Sequence, residues 1–398
     1  MATVSRQSVL ILGAFGTFGR LITRALAQST DLTIIAAGRR LPEVREEFRA
    51  GIRMLAMDNN ALSAGVLREL DPALLIDTVG PFQTRDRKLA EACIHLGIHY
   101  LDLADGREFV QNVCVLDAAA KANNVLVVSG ASTVPALSSA VVEHLAAEFS
   151  QVEEIEIGIA PAYSGPRGLA TARSVLGYVG RSIPVWRDAA MDSARGWSDT
   201  KRYRYPPPVG RRNLSLIDVP DVSLIPPRFP ALSQLAVRAG HEVPLVHHTL
   251  RLLGILVRIG LIRDLASHAP MMLRMAAWFD RFGSNSGAMH VRLRGRGNDG
   301  HLQSRTWTLV AENGDGPRIP TLAAILLTKK LLNVPGFAPI ASRGAMPAMN
   351  LLTLREFERE WRRLAIRTCV TGRTGVTGDS SAEAGENLAP TATSHRAT

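Results

Sequence analysis

Gly13-Ala14-Phe15-Gly16-Thr17-Phe18-Gly19 follows directly on the apolar run Val9 to Leu12 and opens an amphipathic stretch. A strand that turns through glycines into a helix leaves the first N–H groups of that helix free, and such an end can hold a pyrophosphate. Gly13 would make the tight turn, Gly16 would let the backbone approach the phosphates, and Gly19 would let helix pack on strand. Phe15, Thr17 and Phe18 line the same loop. The spacing is one residue longer than the usual dinucleotide fingerprint, and a glycine-rich turn without a ligand is the plain alternative.

The end of the second apolar run discriminates between nucleotides. A ribose with free hydroxyls is usually met there by Asp or Glu. This chain instead reads Ala36-Ala37-Gly38-Arg39-Arg40, with no acid and two guanidinium groups. A planar, permanently charged fork suits a 2′-phosphate, so the expected cofactor is NADP, with Arg39 the first choice of partner and Arg40 the second. The alternative is that both arginines merely solvate a loop. Gly38 sits in the same turn, and Asp58, after the third run, either touches the adenine or caps the next helix.

Further along, Asp77-Thr78-Val79-Gly80-Pro81 closes a fourth run. Strand ends of this kind face the ligand crevice, so Thr78, Val79, Gly80 and Pro81 are expected beside the phosphates and the nicotinamide ribose. Asp102 and Asp105, with Tyr100, end a fifth run and are candidates for proton transfer or for polar positioning of a substrate. Structural carboxylates capping the next helix are the alternative. Ser129 to Ser138 reads as a second backbone anion site, a hinge or a helix cap. His95 and His99 straddle the Gly97 turn, so helical metal-ligand spacing does not apply and no metal is expected.

These residues need a scaffold, and the alternation of short apolar runs with amphipathic stretches supplies one. Strands are expected at 8–12, 32–37, 52–57, 74–78, 99–103 and 125–129, and helices at 19–27, 42–49, 61–69, 85–96 and 109–123. That rhythm predicts an α/β class, an N-terminal Rossmann-like doubly wound parallel sheet over 1–135. A second, mixed α/β domain is expected over 136–345. It contains a helix at 136–149, a strand at 153–160, mostly loops over 162–240, and one or two apolar helices over 243–282. Strands at 288–296 and 303–312 form a hairpin, and a helix follows at 321–332. Thr353 and Glu356 make a capping box that starts a last helix, running to about Arg367 within 346–370 and returning to the first domain. Residues 371–398 read as a disordered tail.

The chain has 398 residues, 46% hydrophobic and 21% charged, enough for a large core. Its net charge of +10 is unevenly placed: residues 151–345 carry 25 basic and 14 acidic side chains, whereas residues 1–150 carry 14 and 16. With 5% aromatics and no basic stripe interleaved with them, nucleic acid is not the expected partner. An acidic or lipidic small-molecule substrate, or peripheral contact of the 243–282 helices with a membrane, fits the charge better, although those helices read first of all as core. Three scattered cysteines and no leader pattern point to a cytoplasmic setting. No Tyr is followed four residues later by Lys, no Walker lysine follows the loop, and no Gly-x-Ser-x-Gly elbow occurs.

The segments GAFGTFGR (13–20), AAGRR (36–40), DTVGPFQ (77–83), CIHLGIHYLDLADG (93–106) and SGASTVPALSS (129–139), and more loosely PRIPTLAA and RGAMPAM, resemble the saccharopine dehydrogenase-like NADP-binding oxidoreductases. The resemblance spans roughly residues 5 to 367 and is poor across 160–285. It implies a Rossmann domain, an inserted α/β domain that bears substrate groups and often a homodimer contact, and NADP-dependent hydride transfer. A non-catalytic NADP sensor that docks a partner is the rival reading. The cations Arg195, Lys201, Arg202, Arg204, Arg211 and Arg212 match no substrate contact of the family.

Overall fold

A computed structural model describes residues 7–41, 52–58, 62–165 and 168–374. The first sheet is built from β1 (Ser8–Leu12), β2 (Thr33–Gly38), β3 (Ile52–Ala56), β4 (Leu74–Asp77), β5 (His99–Asp102) and β6 (Leu126–Ser129). Between them run α1 (Thr17–Ser29), α2 (Ala64–Leu70), α3 (Lys88–His95), α4 (Arg107–Gln111) and α5 (Asp117–Ala122). The strands are all parallel, in the order β3-β2-β1-β4-β5-β6, so the chain reverses direction across the sheet between β1 and β4. Val9 and Ile11 pack with Ile22 and Leu26 of α1 on one face, while Leu10 and Leu12 pack with Leu67, Cys93 and Ile94 on the other. Burial on both faces is why these strands read as continuous apolar runs.

The second unit follows in α6 (Ser138–Ala146), β7 (Phe149–Ala160), α7 (Leu169–Tyr178), β8 (Ser182–Arg187), β9 (Ala190–Arg195), β10 (Lys201–Arg204), β11 (Arg211–Leu216), α8 (Asp221–Leu224) and β12 (Gln234–Ala239). Next come α9 (Pro244–Arg258), α10 (Ala269–Ala277), β13 (Gly287–Gly297), β14 (Leu302–Ala311) and α11 (Ile319–Leu331). The last elements are β15 (Gly344–Pro347), α12 (Leu354–Trp361) and β16 (Ile366–Thr374). The mixed sheet runs β10-β11-β12-β7-β13-β14-β16, with β8 and β9 as a side ribbon. One face places Ile155, Ile157, Met289, Val291, Trp307 and Leu309 against α6 and α11; the other carries charges. Helix α11 is buried around most of its circumference because it packs against α1 as well as α12.

Several expectations change here. The described part of 162–240 holds two helices and five strands where loops were expected, because strands such as β9 and β10 show water their charged side chains and lack a clean alternation. The last helix keeps its capping box but stops at Trp361. The chain then turns into β16, antiparallel to β14 with Val370 opposite Trp307, so residues 371–374 are a sheet edge and not tail. The link back to the first sheet is made by β15, parallel to β6. The helix expected at 42–49 and the tail from 375 onward lie outside the described residues. The 243–282 segment forms two helices whose outer faces are exposed, so it is not ordinary core.

The tightest local constraint is at α1. A Cβ at Gly19 would lie 2.2 Å from the Gly13 carbonyl oxygen, whereas Gly97, at φ +72°, faces open space. Helix propensity alone would favour Gly19→Ala by about 1 kcal/mol. The backbone collision outweighs it, so Gly19→Ala should lose about 1–3 kcal/mol net, and Gly97→Ala about 1 kcal/mol from its left-handed backbone only. Urea unfolding checks both, and a stabilised Gly19→Ala protein would remove this constraint from the fold.

Candidate active site at the interdomain cleft

The glycine loop is closed by its own backbone. Gly13, at φ +72°, turns the chain, and the Gly16 N–H donates to the Gly13 carbonyl at 2.8 Å. Helix α1 has no side-chain cap and no acid in its first turn, which leaves its N-terminal N–H groups and positive dipole end for an anion. Thr78 reaches across from the end of β4, and its hydroxyl donates to the Leu12 carbonyl at 2.7 Å. That hydroxyl would be 2.7 Å from a Cβ at Gly13 and 2.8 Å from one at Gly19. Thr78 therefore clamps the loop, and Gly13 and Gly19 have no room for a side chain.

The remaining nucleotide candidates surround this loop. Gly38, at the end of β2, is overlain by the Phe15 ring, whose Cδ2 would come within 2.6 Å of a Cβ there. Phe15 and Phe18 are half-buried against the core; Gly16 is exposed. Arg39 and Arg40 follow Gly38 with exposed side chains, at the side of the loop where a dinucleotide's adenosine would lie. Asp58 is exposed two residues beyond β3, on the same flank of the sheet. The cradle thus fits a dinucleotide: it has an uncapped helix end, three positions with no room for side chains, and guanidinium groups beside them.

A buried ion pair that the local sequence pattern does not show holds the 78–81 turn. Asp77 is fully buried; its Oδ1 accepts the Val79 N–H at 2.9 Å and its Oδ2 meets Arg85 at 2.5 Å. Arg85 also donates to the Val79 carbonyl at 2.8 Å. Arg85 was expected to open the helix that instead starts at Lys88. Val79, Gly80 and Pro81 are half-buried along this turn.

Of the two carboxylates singled out from sequence, Asp102 has no exposed surface. Its Oδ1 accepts from the Ala104 N–H at 2.9 Å, the Ser129 hydroxyl at 2.9 Å and the Gly130 N–H at 2.8 Å, which ties the end of β5 to that of β6. The Ser129 to Ser138 segment is thus a tie between strands and not a second anion site at Gly130. Asp105 is half-buried at the cleft, where Ser174 of α7 donates to its Oδ2 at 2.6 Å and Gln83 donates to its Oδ1 at 3.1 Å. Gln83 also bonds Ser174. Burial pushes the Asp105 carboxyl above its ordinary range despite both donors.

Helix α7 comes from the second unit and lies across the carboxyl ends of the first sheet. Ala170 would touch a Cβ at Gly80 at 3.1 Å, and Gly168 adjoins the Thr17 hydroxyl. A second bridge joins Arg107 to Asp218 at 2.8 Å, and Ser138 bonds the buried Asp221. Ser174, Gln83, Arg107 and Asp218 went unmarked in the sequence, since Ser174 lies 69 positions from Asp105 and no spacing rule links them. His95 is exposed, while His99 accepts the Leu126 N–H at 2.9 Å and is held by burial down at about 4. Of the basic cluster, Arg212 is buried against Glu242, whereas Lys201, Arg202, Arg204 and Arg211 are exposed on β10 and β11 at the sheet edge.

Comparison with known proteins agrees with this geometry. Residues 9–131 match the model of the saccharopine dehydrogenase NADP binding domain. The N-terminal domain is therefore of the saccharopine dehydrogenase-like, NADP-binding kind that the sequence motifs resemble. Over the whole chain the fold is similar to apo saccharopine dehydrogenase (L-Glu forming) from Saccharomyces cerevisiae, at 13% identity, with 92% of this chain and all of that one covered and a TM-score of 0.64. It is also similar to homospermidine synthase from Legionella pneumophila in complex with NAD, at 11% identity, with 93% and 92% covered and a TM-score of 0.56. Identities this low speak for the shared two-domain architecture. No curated protein matches the chain in sequence.

Asp102 also sets a pH dependence. Burial raises its carboxyl from 3.8 to about 7, although three donors act against the shift. Below the unfolded value the group is protonated in both states. As pH rises from there to the folded value, the unfolded chain releases the proton first, so Asp102 progressively subtracts stability, in total roughly 4 kcal/mol. Asp102→Asn should lose less stability than the wild type on passing from about pH 4 to about pH 8. Urea unfolding at both pH values checks this, and an unchanged difference would mean that the wild-type group is ionised throughout.

Proposed function

We propose that the chain is an NADP(H)-dependent oxidoreductase acting on a small molecule bound beside Asp105, where the carboxyl ends of the first sheet meet α7. The observation that carries this reading is Asp105, a carboxyl that burial shifts upward and that Gln83 from one unit and Ser174 from the other hold in place. It stands at the strand ends where the nicotinamide half of a dinucleotide would lie. When bound, NADPH supplies a hydride from its nicotinamide C4. The chain's own residues then bind, orient and protonate. Gly13, Gly16, Thr17 and the start of α1 hold the pyrophosphate, and Arg39, seconded by Arg40, receives the 2′-phosphate. Thr78, Val79, Gly80 and Pro81 set the depth of the nicotinamide ribose. Asp105 holds the proton delivered to the substrate atom that gains charge as hydride arrives, and α7 keeps water out.

A lipid-like substrate fits this arrangement, because the far side of α7 carries α10 and its exposed apolar face. The carboxylates Asp105 and Asp218 in the cleft, with Arg107 already paired, give an acidic substrate less support.

Calorimetry tests the cofactor half of the reading. Losing one charge-assisted phosphate contact is worth about 1.5–3 kcal/mol, so Arg39→Ala should weaken NADPH roughly 10- to 100-fold and leave NADH unchanged. Equal affinities in wild type and variant would sink the assignment. For the chemical half, Asp105→Asn should bind NADPH normally yet fail to oxidise it with any carbonyl or imine that the wild type reduces. Binding by the wild type with no turnover on a broad carbonyl and imine panel would instead favour the sensor.

A further inference from the structure

A surface feature that the redox reading leaves unused is on α9 and α10. Along α9, Leu245, Leu252, Ile255 and Ile259 recur at helical spacing and are all exposed, while His247, Leu250 and Gly254 face inward. Along α10 and the turn after it, Met271, Met275, Trp278 and Phe282 are exposed as well, with Trp278 at 73% exposure. Leu261, in the connection, is 71% exposed. Exposed apolar residues scattered singly need no account; a stripe on each of two consecutive helices does.

Both helices are firmly held from behind. Gly254 packs on Gly180, just beyond α7, where a Cβ at Gly180 would lie 2.2 Å from the Gly254 carbonyl oxygen. His247 bonds Ser215 at 3.1 Å, and the Tyr163 hydroxyl donates to the Ala276 carbonyl at 2.7 Å. Outward exposure is thus the built conformation of the stripes.

The charge beside them identifies the occupant. Residues 244–282 carry five arginines and two aspartates. Arg251 and Arg258 lie seven apart along α9, beside its apolar stripe, while Arg274 lies on α10 and Arg281, stacked over the Phe282 ring at 4.7 Å, in the turn after it. Among the described residues no carboxylate pairs with Arg251, Arg258 or Arg274, whereas on the second sheet Arg292 and Arg294 are matched with Glu156 and Glu154. A second copy docked symmetrically would set these arginines against one another. Helix α9 has 15 residues, about 22 Å, too short for a bilayer core, and no helix among the described residues is long and apolar enough to cross one. Apolar stripes with an interfacial tryptophan and flanking guanidinium groups match a negatively charged lipid surface.

We propose that α9 and α10 form a peripheral docking face for an anionic lipid bilayer, seating the protein with α7 and the cleft next to the membrane. The docking stands without the redox reading. Only the corollary, that substrate enters from the lipid side, rests on it.

The test is flotation of the full chain, without nucleotide, with vesicles of phosphatidylcholine alone or mixed with phosphatidylglycerol. Recovery with the anionic vesicles should exceed that with the neutral ones at least tenfold. Trp278 emission should shift to the blue, because Trp197, Trp307 and Trp361 are already buried and Trp186 is half-buried with its indole N–H bonded to the Leu232 carbonyl, and the shift should vanish in Trp278→Phe. A Leu252→Asp, Ile259→Asp, Trp278→Asp variant should lose flotation while its thermal unfolding and NADPH affinity stay unchanged. Arg251→Gln, Arg258→Gln and Arg274→Gln together should erase the preference for phosphatidylglycerol. The proposal is overturned if the wild type ignores both vesicles, or if the apolar-to-Asp variant converts a lipid-free oligomer to monomer in sedimentation. Loss of NADPH binding with flotation intact would fault the redox reading alone.

Discussion

The contact on which the site depends is the approach of α1 to the end of β1, where the Gly13 carbonyl, the Gly19 α-carbon and the Thr78 hydroxyl share a space with no room for a Cβ. Backbone carries the helix N-terminus to the strand end, so the free N–H groups of α1 face the crevice at the point where strand order reverses. Because Thr78 bonds Leu12, the β4 turn is locked to the same atoms. A shift of one turn would move the other, and the phosphate and nicotinamide ends of the cradle behave as one piece.

Buried carboxylates extend that rigidity sideways. Asp77 fixes the β4 turn through Val79 and Arg85, and Asp102 fixes β5 against β6 through Ala104, Ser129 and Gly130. Each is an aspartate at the last position of a parallel strand, its burial offset by backbone N–H donors and by an arginine or a hydroxyl. Asp105, three residues beyond Asp102, leaves the sheet and meets α7 instead. A short run of sequence thus holds one carboxyl that builds the scaffold and one placed where the two units meet.

The N-terminal sheet was legible because its signals are local. A strand buried on both faces is a bare apolar run, and a phosphate loop is a few consecutive glycines, so Val9 to Gly19 announces itself. The cleft was not legible, because Ser174, Gln83 and Asp105 are brought together by packing of distant elements and none has a distinctive neighbour. Strands β9 and β10 were missed for a different reason. Much of their surface is open to water, so alternation between core and solvent, the only strand signal a single sequence offers there, is faint. The same weakness hid β16, whose Gly and Thr content resembles a tail, although its register with β14 places Val370 opposite Trp307.

The basic middle of the chain shows how charge alone misleads. Counted along the sequence, the excess of arginine over residues 151–345 reads as one field seeking an acidic partner. In the fold it divides. On the second sheet, cross-strand geometry places Arg292 opposite Glu156 and Arg294 opposite Glu154, with Arg238 close enough to share Glu156 and Asp199, so these cations are neutralised where they stand. On α9 and α10 Arg251, Arg258 and Arg274 flank exposed leucine, isoleucine and methionine instead, and among the described residues no carboxylate pairs with them. Among the described residues the excess that remains therefore sits beside the exposed apolar stripes of α9 and α10, and α7 lies between those stripes and Asp105.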